Sequence, residues 1–274
     1  MVKCIHFETA TVCISIVMFP IESSIHTSET QSSCASSLTH EDKKGNLTMI
    51  KLVVFDMAGT TVDEDNVVYK TVRAAINAAG YQFTQEQVQE AGAGKEKSQA
   101  IRDVLALDET AHSDKEVVAI FEDFKQRLST AYDTLDVKEQ PGASQTFAKL
   151  RQHGIKVVLN TGYDRATAEG LVAKIGWVVG KDIDGLVTAS DVENGRPAPD
   201  MIHLAMNQVA VASSDEVAKI GDSGIDIEEG KTAQCGMTFG ITTGAQTEAQ
   251  LRTANPTHIV SSLARMCELI LSAA

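Results

Sequence analysis

The chain has 274 residues, of which 43% are hydrophobic, enough for one large domain or for a core with a smaller inserted unit. Its formal net charge is −13 and only 24 residues are Lys or Arg, which argues against non-specific binding to nucleic acid. Three of the five cysteines lie in the first 48 residues and the other two lack the spacing of metal ligands, so we expect a reduced, cytoplasmic protein.

The first 48 residues differ from the rest of the chain, being rich in Ser, Thr and His. Their apolar run, Val12 to Ile21, is too short to span a bilayer, and no clear small-residue cleavage site follows it. We therefore expect residues 1–48 to be a leader that is disordered or absent in the working protein, with Met49 as the real start. No membrane association is predicted.

The stretch from Lys51 to Thr61 contains the first predicted strand and the first candidate site residue. Five largely apolar residues predict a strand buried on both faces, and the strand ends at Asp56, followed by the small residues Ala58 and Gly59. Open α/β sheets bind their ligands at the carboxyl ends of such strands. Asp56 is therefore a candidate site residue, although an aspartate that caps a strand in a turn gives the same local pattern.

The next part of the chain favours helices and contains no convincing strand. Apolar residues recur at helical spacing from Val68 to Ala79, and Thr84 with Gln87 resembles a capping box that opens a second helix. The pattern predicts an inserted α-helical domain. The predicted helices cover residues 66–79, 85–91, 98–105 and 115–132.

From Pro141 and Gly142 onward, predicted strands and helices alternate. This alternation is typical of right-handed βαβ units and a parallel sheet, so the predicted fold class is α/β. We place the core domain at residues 49–63 and 138–274 and a helical cap domain at residues 64–137. The predicted strands of this part cover residues 156–159, 185–188, 217–220, 237–241 and 258–260.

Polar residues follow three predicted strands, at ends that meet on one edge of a parallel sheet. Asp56 ends the first strand, Asp222 ends a later one, and Asp226 follows at the start of a helix. Carboxylates from different strands suit Mg²⁺, which prefers oxygen ligands. At the third strand end, the Thr161 hydroxyl and the Gly162 amide could hold an anionic oxygen.

Arg196, in a predicted loop, adds a cation, and this combination of groups is typical of phosphoryl transfer. In order and spacing, these segments resemble the four motifs of the haloacid dehalogenase superfamily of hydrolases, and within it the phosphonoacetaldehyde hydrolases and phosphonatase-like hydrolases. The resemblance covers about residues 50–274 and implies a Rossmann-like core with an inserted α-helical cap. The motifs are Asp56-Met57-Ala58-Gly59-Thr60, Thr161-Gly162, Arg196-Pro197 and Gly221-Asp222-Ser223-Gly224-Ile225-Asp226.

Two departures from ordinary phosphatases of this superfamily favour the phosphonatase branch. Ala58 occupies the position of a second aspartate, which in phosphatases protonates the leaving alkoxide. Arg196 replaces the usual lysine of the third motif, as in phosphonatases. In that branch a cap lysine, three residues after a glycine, forms an imine that accepts the electrons of the broken bond. Here Lys97 follows Gly94 at that spacing, with Lys95 as the competing choice; either could instead be a solvated lysine.

The match is incomplete, because the family's cap histidine and methionine are replaced by Ala100 and Ala93, so the exact substrate stays open. Glu228 and Glu229 are interpreted as a solvated helix face. The roles implied by the resemblance are metal binding for Asp56, Ala58, Asp222 and Asp226, catalysis for Asp56, Ala58, Lys97, Thr161 and Arg196, and substrate binding for Thr161, Gly162, Tyr163 and Arg196.

Three candidate functions are consistent with these residues. The first is a Mg²⁺-dependent hydrolase that cleaves the carbon–phosphorus bond of a small phosphonate aldehyde, through an aspartyl-phosphate on Asp56 and an imine on Lys97. The second is a phosphomonoester phosphatase, and the third is a non-catalytic protein that binds a phosphate ligand. The expected partner is a small-molecule phosphonate or phosphate, not nucleic acid or a membrane, and a homodimer is left open.

Overall fold

A computed structural model describes residues 49–108 and 112–273 of the chain. They belong to one compact unit, Gly45–Ala274. The predicted leader at residues 1–48 lies outside the described residues.

Most of the described strands form one parallel sheet, as the alternating pattern predicts. The strands in chain order are β1 (Leu52–Asp56), β2 (Val62–Asp63), β3 (Lys138–Glu139), β4 (Lys156–Thr161), β5 (Gly185–Thr188), β6 (Val217–Gly221), β7 (Met237–Ile241) and β8 (His258–Val260). Across the sheet the order is β5-β4-β1-β6-β7-β8, so the chain winds outward from β1 to one side and then to the other. Such a reversal leaves a crevice at the carboxyl ends of the strands, where α/β proteins bind ligands.

The central strand β1 is buried on both faces, which explains its uninterrupted apolar run. Val53 and Phe55 pack into one hydrophobic cluster, and Leu52 and Val54 pack into the other. Strands β4 and β6 pair with β1 on either side, and the carboxyl-terminal residue of β1 lies opposite Asn160 of β4. The polar residues at the ends of these strands are thereby held together.

The described helices, in chain order, are α1 (Val67–Ala78), α2 (Gln85–Gly92), α3 (Lys97–Leu105), α4 (Asp114–Thr134), α5 (Ala143–Gln152), α6 (Arg165–Ile175), α7 (Asp200–Gln208), α8 (Gly224–Thr232), α9 (Glu248–Thr253) and α10 (Leu263–Ser272). Thr84 and Gln87 form the predicted capping box at the start of α2. None of the helices in the described ranges is long and apolar enough to cross a membrane.

Helices α1 to α4 form a helical insert, residues 67–134, between β2 and β3. These two short strands pair antiparallel, with Val62 opposite Glu139, so the chain leaves and rejoins the core at one place. The sequence did not predict this ladder, because two-residue strands show no apolar alternation. That the insert forms a separate cap domain, residues 64–137, stays a prediction.

Candidate active site

A small crevice lies at the carboxyl ends of β1, β4 and β6, between the sheet and the helical insert. Its volume is about 20 Å³, room for little more than one water molecule. Every predicted site residue lines this crevice except Asp226, which is fully buried. The lining residues are Asp56, Ala58, Tyr69, Gly94, Lys97, Thr161, Gly162, Tyr163, Arg196 and Asp222.

The carboxylates of Asp56, Asp222 and Asp226 lie together, as predicted from their positions at strand and helix ends. All three are buried, and one oxygen of each lies within 4.8 Å of the others. Burial, and then the charge of Asp226, raises the pKa of Asp56. Burial, and then the charge of Asp56, raises the pKa of Asp222 well above its ordinary value. Burial acts to raise the pKa of Asp226 as well, but the charges of Arg196 and Lys219 outweigh this effect, so the pKa of Asp226 is lowered.

Arg196 is buried at the centre of these carboxylates. Its Nη1 lies 2.8 Å from Asp56 Oδ1 and 2.9 Å from Asp226 Oδ1, and its Nε lies 3.1 Å from Glu229 Oε2. Its Nη2 donates to both the backbone and the side-chain oxygen of Asn160. The guanidinium therefore donates four hydrogen bonds to protein acceptors and forms an ion pair with Asp226, and this arrangement suits Arg196 to orienting Asp56.

Lys219, on β6, is a site residue that the sequence analysis missed. It is 0% exposed, and its Nζ lies 2.9 Å from Asn160 Oδ1, 2.9 Å from Asp226 Oδ1 and 3.3 Å from Glu229 Oε2. The prediction that Glu229 belongs to a solvated helix face was wrong, because α8 turns this carboxylate inward to Lys219 and Arg196. The available signal was a lysine within an otherwise apolar strand, since a buried charge requires a partner.

The charges of this cluster are not balanced by the protein alone. With the Lys97 amine neutral, the buried carboxylates of Asp56, Asp222, Asp226 and Glu229 lie with two buried cations, Arg196 and Lys219, which leaves a formal charge of −2 when these six groups are ionised. The raised pKa values of Asp56 and Asp222 have the direction expected from an excess of negative charge. A divalent cation with oxygen ligands would neutralise this excess, so the residues present fit Mg²⁺.

Thr161 and Gly162 lie where β4 ends and the chain turns over the crevice. Thr161 is 2% exposed, and its Oγ1 accepts a hydrogen bond from the Tyr163 amide at 3.3 Å. The turn after β1 is held similarly, because the Thr61 hydroxyl donates to the Asp56 carbonyl at 2.9 Å. Both turns are therefore fixed by local hydrogen bonds, which orients the groups that line the crevice.

Two glycines allow the loops around the crevice to approach closely. Gly59 has a φ of +75°, and a Cβ there would lie 2.4 Å from Asp222 Oδ2. Gly94 has a φ of +74°, and a Cβ there would lie 2.0 Å from Ile225 Cγ2. Any other residue at Gly94 would push the insert away from the loop after β6. Gly94 thus brings the start of α3, which carries Lys97, to the carboxylates.

Lys97 is buried between the helical insert and the sheet, with 8% of its surface exposed. Its Nζ donates to the Lys95 carbonyl at 2.7 Å and lies 5.1 Å and 5.9 Å from the ring centres of Tyr69 and Tyr163. Burial, and then the charge of Arg196, lowers the pKa of this amine. The direction favours the neutral form that a nucleophilic lysine requires.

Lys95, the competing lysine, points elsewhere. Its Nζ lies 2.5 Å from Asp103 Oδ2, and a third of its side chain, 33%, is exposed. Lys95 contributes a carbonyl to hold Lys97, but its amine does not line the crevice. The structure therefore brings together Lys97 and Asp56 and leaves Lys95 on the outside of the insert.

Glu64 is a second residue that the sequence analysis missed. It is 4% exposed, and its Oε2 accepts hydrogen bonds from Tyr132 at 2.5 Å and Tyr163 at 3.0 Å. Burial raises its pKa to about 7, against the opposing effects of the two tyrosines and of the Lys97 charge. Nothing in its local sequence distinguishes it, because its partners are distant in the chain. Glu64 connects the insert, through Tyr132, to the core, through Tyr163.

Residues 50–234 match the sequence pattern of a haloacid dehalogenase-like hydrolase. The chain belongs to this hydrolase family. A phosphonoacetaldehyde hydrolase from Latilactobacillus sakei is 30% identical over 206 residues, covering 71% of this chain and 76% of the relative. A phosphonoacetaldehyde hydrolase like protein from Oleispira antarctica has a similar structure, with a TM-score of 0.71, 23% identity, and coverage of 83% of this chain and 93% of that one. A protein assigned as a phosphoglycolate phosphatase from Lactobacillus delbrueckii also has a similar structure, with a TM-score of 0.69, 21% identity, and coverage of 81% of this chain and 98% of that one.

These likenesses bear out the predicted superfamily and the Rossmann-like fold with its parallel sheet. At such identities the two structures support the fold alone. The roles of individual site residues, the cytoplasmic location and the oligomeric state stay predictions.

Proposed function

We propose that this hydrolase cleaves the carbon–phosphorus bond of a small phosphonate aldehyde, with Asp56 as the nucleophile and Lys97 as the imine-forming amine. The observation that carries the proposal is the burial of the Lys97 amine in the same crevice as the Asp56 carboxylate. Relatives named phosphonoacetaldehyde hydrolase at about 30% identity support it. Hydrolysis of a phosphate ester requires no imine-forming amine.

The metal in this proposal is Mg²⁺. Asp56, Asp222 and the Ala58 carbonyl would hold it, with Asp226 in support. When bound, it supplies positive charge that favours attack on phosphorus by offsetting the charge of the phosphonyl oxygens. Asp226 is the least available ligand, because its oxygens accept from Arg196, Lys219 and the Ser223 hydroxyl.

The reaction begins at Lys97. Its neutral amine attacks the aldehyde carbon, and loss of water gives an imine that is then protonated. Asp56 attacks phosphorus, the new phosphorus–oxygen bond forms, and the electron pair of the broken carbon–phosphorus bond moves to the iminium nitrogen. The resulting enamine takes up a proton and is hydrolysed, which releases acetaldehyde and the Lys97 amine. Water hydrolyses the aspartyl-phosphate to phosphate and free Asp56.

The remaining residues bind and orient. The Thr161 hydroxyl and the Gly162 amide are proposed to bind phosphonyl oxygens at the end of β4. Arg196 is proposed chiefly to hold Asp56 in position. Direct binding of a phosphonyl oxygen by Arg196 would require one of its N–H groups to leave a present acceptor, such as Asp226.

Ala58 bears on the alternative of a phosphomonoester phosphatase. An alkoxide leaving group needs a proton, and Ala58 has no acid to supply one. Carbon–phosphorus cleavage through an enamine requires no acid at the position of Ala58. Ester hydrolysis is therefore expected to be slow relative to cleavage of the phosphonate aldehyde.

The direct test is incubation with phosphonoacetaldehyde and Mg²⁺, with phosphate release measured beside a panel of phosphate esters. Release from the phosphonate supports the proposal, release only from esters favours the phosphatase, and Mg²⁺ binding without any release favours a non-catalytic role. Addition of borohydride should trap the imine as a secondary amine, and mass spectrometry should locate the adduct on Lys97.

Two variants sharpen this test. Lys97→Arg keeps a cation but cannot form the imine, so it should lose carbon–phosphorus cleavage and trapping. Lys95→Arg is the matched control, two residues away and paired with Asp103, and should retain both. An adduct on Lys95, or full activity in Lys97→Arg, would exclude the proposed mechanism.

A further inference from the structure

A cavity much larger than the crevice opens directly beside it, between α4 of the helical insert and α6 of the core. Its volume is about 560 Å³, against about 20 Å³ for the crevice. The two spaces share Lys97, Gly162 and Tyr163 as lining residues. A molecule joined to Lys97 therefore has access to both.

The wall of this cavity contains a buried apolar part. Phe124 and Leu128 from α4 and Leu171 from α6 line it, and they are 3%, 6% and 2% exposed. Its two other lysines are engaged: Lys125 pairs with Glu122 at 2.8 Å, and Lys174 donates to the Tyr132 carbonyl. The chemistry of the wall suits a hydrocarbon group better than an anion.

The proposed aldehyde substrate would fill only a small part of this space. Phosphonoacetaldehyde has two carbons and a phosphonyl group, whereas cavities of roughly 300–1,000 Å³ hold drug-sized ligands. In an imine on Lys97, the carbon that bears phosphorus must point toward Asp56 in the crevice. The second substituent of the imine carbon then points away from Asp56, and the 560 Å³ cavity is lined by Lys97 but not by Asp56. In an aldehyde that substituent is only hydrogen.

We propose that the preferred substrates are β-ketophosphonates in which an apolar group on the carbonyl carbon occupies this cavity. The proposal rests on the proposed function, because it places the same imine on Lys97. The bonds formed and broken are the same as for the aldehyde. The ketone condenses with Lys97 and loses water, the phosphonyl group passes to Asp56, and the electron pair enters the iminium. Protonation and hydrolysis of the enamine release a methyl ketone and regenerate the amine.

The test compares two β-ketophosphonates, acetonylphosphonate with a methyl group and phenacylphosphonate with a phenyl group, and the change in their ratio between parent and cavity variants cancels their different intrinsic reactivity. We expect kcat/KM for phenacylphosphonate to be at least about tenfold higher, the range typical of added hydrocarbon in an apolar pocket. Phosphonoacetaldehyde is measured in parallel as the test of the proposed function.

Two variants narrow the cavity from opposite walls. Gly170→Leu on α6 projects into it, and a Cβ at Gly170 meets no atom within 4 Å, so the helix can accept it. Ser129→Leu does the same from α4. Each should reduce the phenacyl-to-acetonyl ratio about tenfold or more. Ala173→Leu, on the same helix as Gly170 but lining a different cavity, should leave the ratio unchanged. Thermal unfolding of each variant checks that it is folded.

The outcomes separate the two proposals. Cleavage of phosphonoacetaldehyde with no preference for phenacylphosphonate overturns the ketone inference and leaves the proposed function standing. Cleavage of neither ketone nor aldehyde overturns both. A phenacyl preference that persists in both Gly170→Leu and Ser129→Leu also overturns the inference, because the phenyl group then lies elsewhere. The yield of the borohydride-trapped phenacylphosphonate adduct on Lys97 should fall in Gly170→Leu and Ser129→Leu and stay unchanged in Ala173→Leu.

Discussion

Replacing Lys219 by methionine should destabilise the metal-free protein by about 3–5 kcal/mol, the cost of breaking a buried ion pair. Methionine keeps much of the length and apolar character of the lysine stem but removes the charge and the N–H donors. The Lys219 amine is fully buried and lies 2.9 Å from Asp226 and 3.3 Å from Glu229. Without it, four buried carboxylates face one cation, Arg196, so the formal excess of negative charge grows from −2 to −3.

The expected change is large enough to measure without ambiguity. A domain of this size loses about 2–4 °C in Tm for each kcal/mol, so the fall should be about 6–20 °C. Urea unfolding followed by circular dichroism would give the change in the free energy of unfolding directly. Adding Glu229→Gln to Lys219→Met removes one carboxylate together with the cation, and the double variant should recover part of the loss.

Lys51→Met is the matched control. Lys51 also pairs with a glutamate, Glu216 at 2.5 Å, but 54% of its side chain is exposed, so its loss should cost less than about 1 kcal/mol. If Lys219→Met unfolds within about 1 kcal/mol of the parent, the buried cluster is not held together by the charge of Lys219, and the reasoning is refuted.

Three further predictions concern other parts of the molecule. Asp56→Asn should reduce turnover at least about a hundredfold, a barrier increase of roughly 3 kcal/mol, without lowering the metal-free Tm, because it removes one carboxylate from an excess of them. Glu64→Gln should remove one part of the pH dependence of stability: with a folded pKa of about 7, above the ordinary value of 4.5, Glu64 makes the parent lose roughly 3 kcal/mol of stability as the pH rises from about 5 to 7. A chain that starts at Met49 should keep the activity and stability of the full chain, because every described strand begins at or after Leu52.

Each of these predictions has a clear contrary result. Phosphate release above a hundredth of the parent rate would rule out Asp56 as the nucleophile. Urea unfolding of Glu64→Gln at pH 5 and pH 8 that parallels the parent would show that Glu64 does not titrate as the structure indicates. An insoluble or inactive chain from Met49 would mean that residues 1–48 are needed.

The sequence predicts the parallel sheet and the site residues at the carboxyl ends of its strands well, because burial limits which residues a strand can contain. A strand buried on both faces is largely apolar, so a polar residue at its end, such as Asp56 or Asp222, stands out. Because parallel strands end on one edge, their terminal residues converge without any knowledge of the loops. Residues such as Thr161 could therefore be placed by position along the strand alone.

The other half of the site could not be predicted in this way. Lys95 and Lys97 have the same local chemistry, and only the tight loop at Gly94 determines which amine reaches the crevice. Glu229 has a partner ten residues back, Lys219, but its inward direction depends on how α8 packs on the sheet. Glu64 takes its environment from tyrosines far away in the chain. Such contacts depend on tertiary packing, which no local pattern encodes.

The short ladder of β2 and β3 has a consequence for the rate of turnover. Both connections to the helical insert run through this ladder, so we expect the insert to rotate about one hinge without disturbing the parallel sheet. Rotation would carry Lys97 away from Asp56 and break the hydrogen bond between Glu64 and Tyr163. Because the crevice of about 20 Å³ has room for little more than one water molecule, we expect the insert to rotate before and after each chemical cycle, to admit the phosphonate and to release phosphate. Raising the solvent viscosity should then lower the steady-state rate, but not the rate of the chemical step in a single turnover of substrate that is already bound.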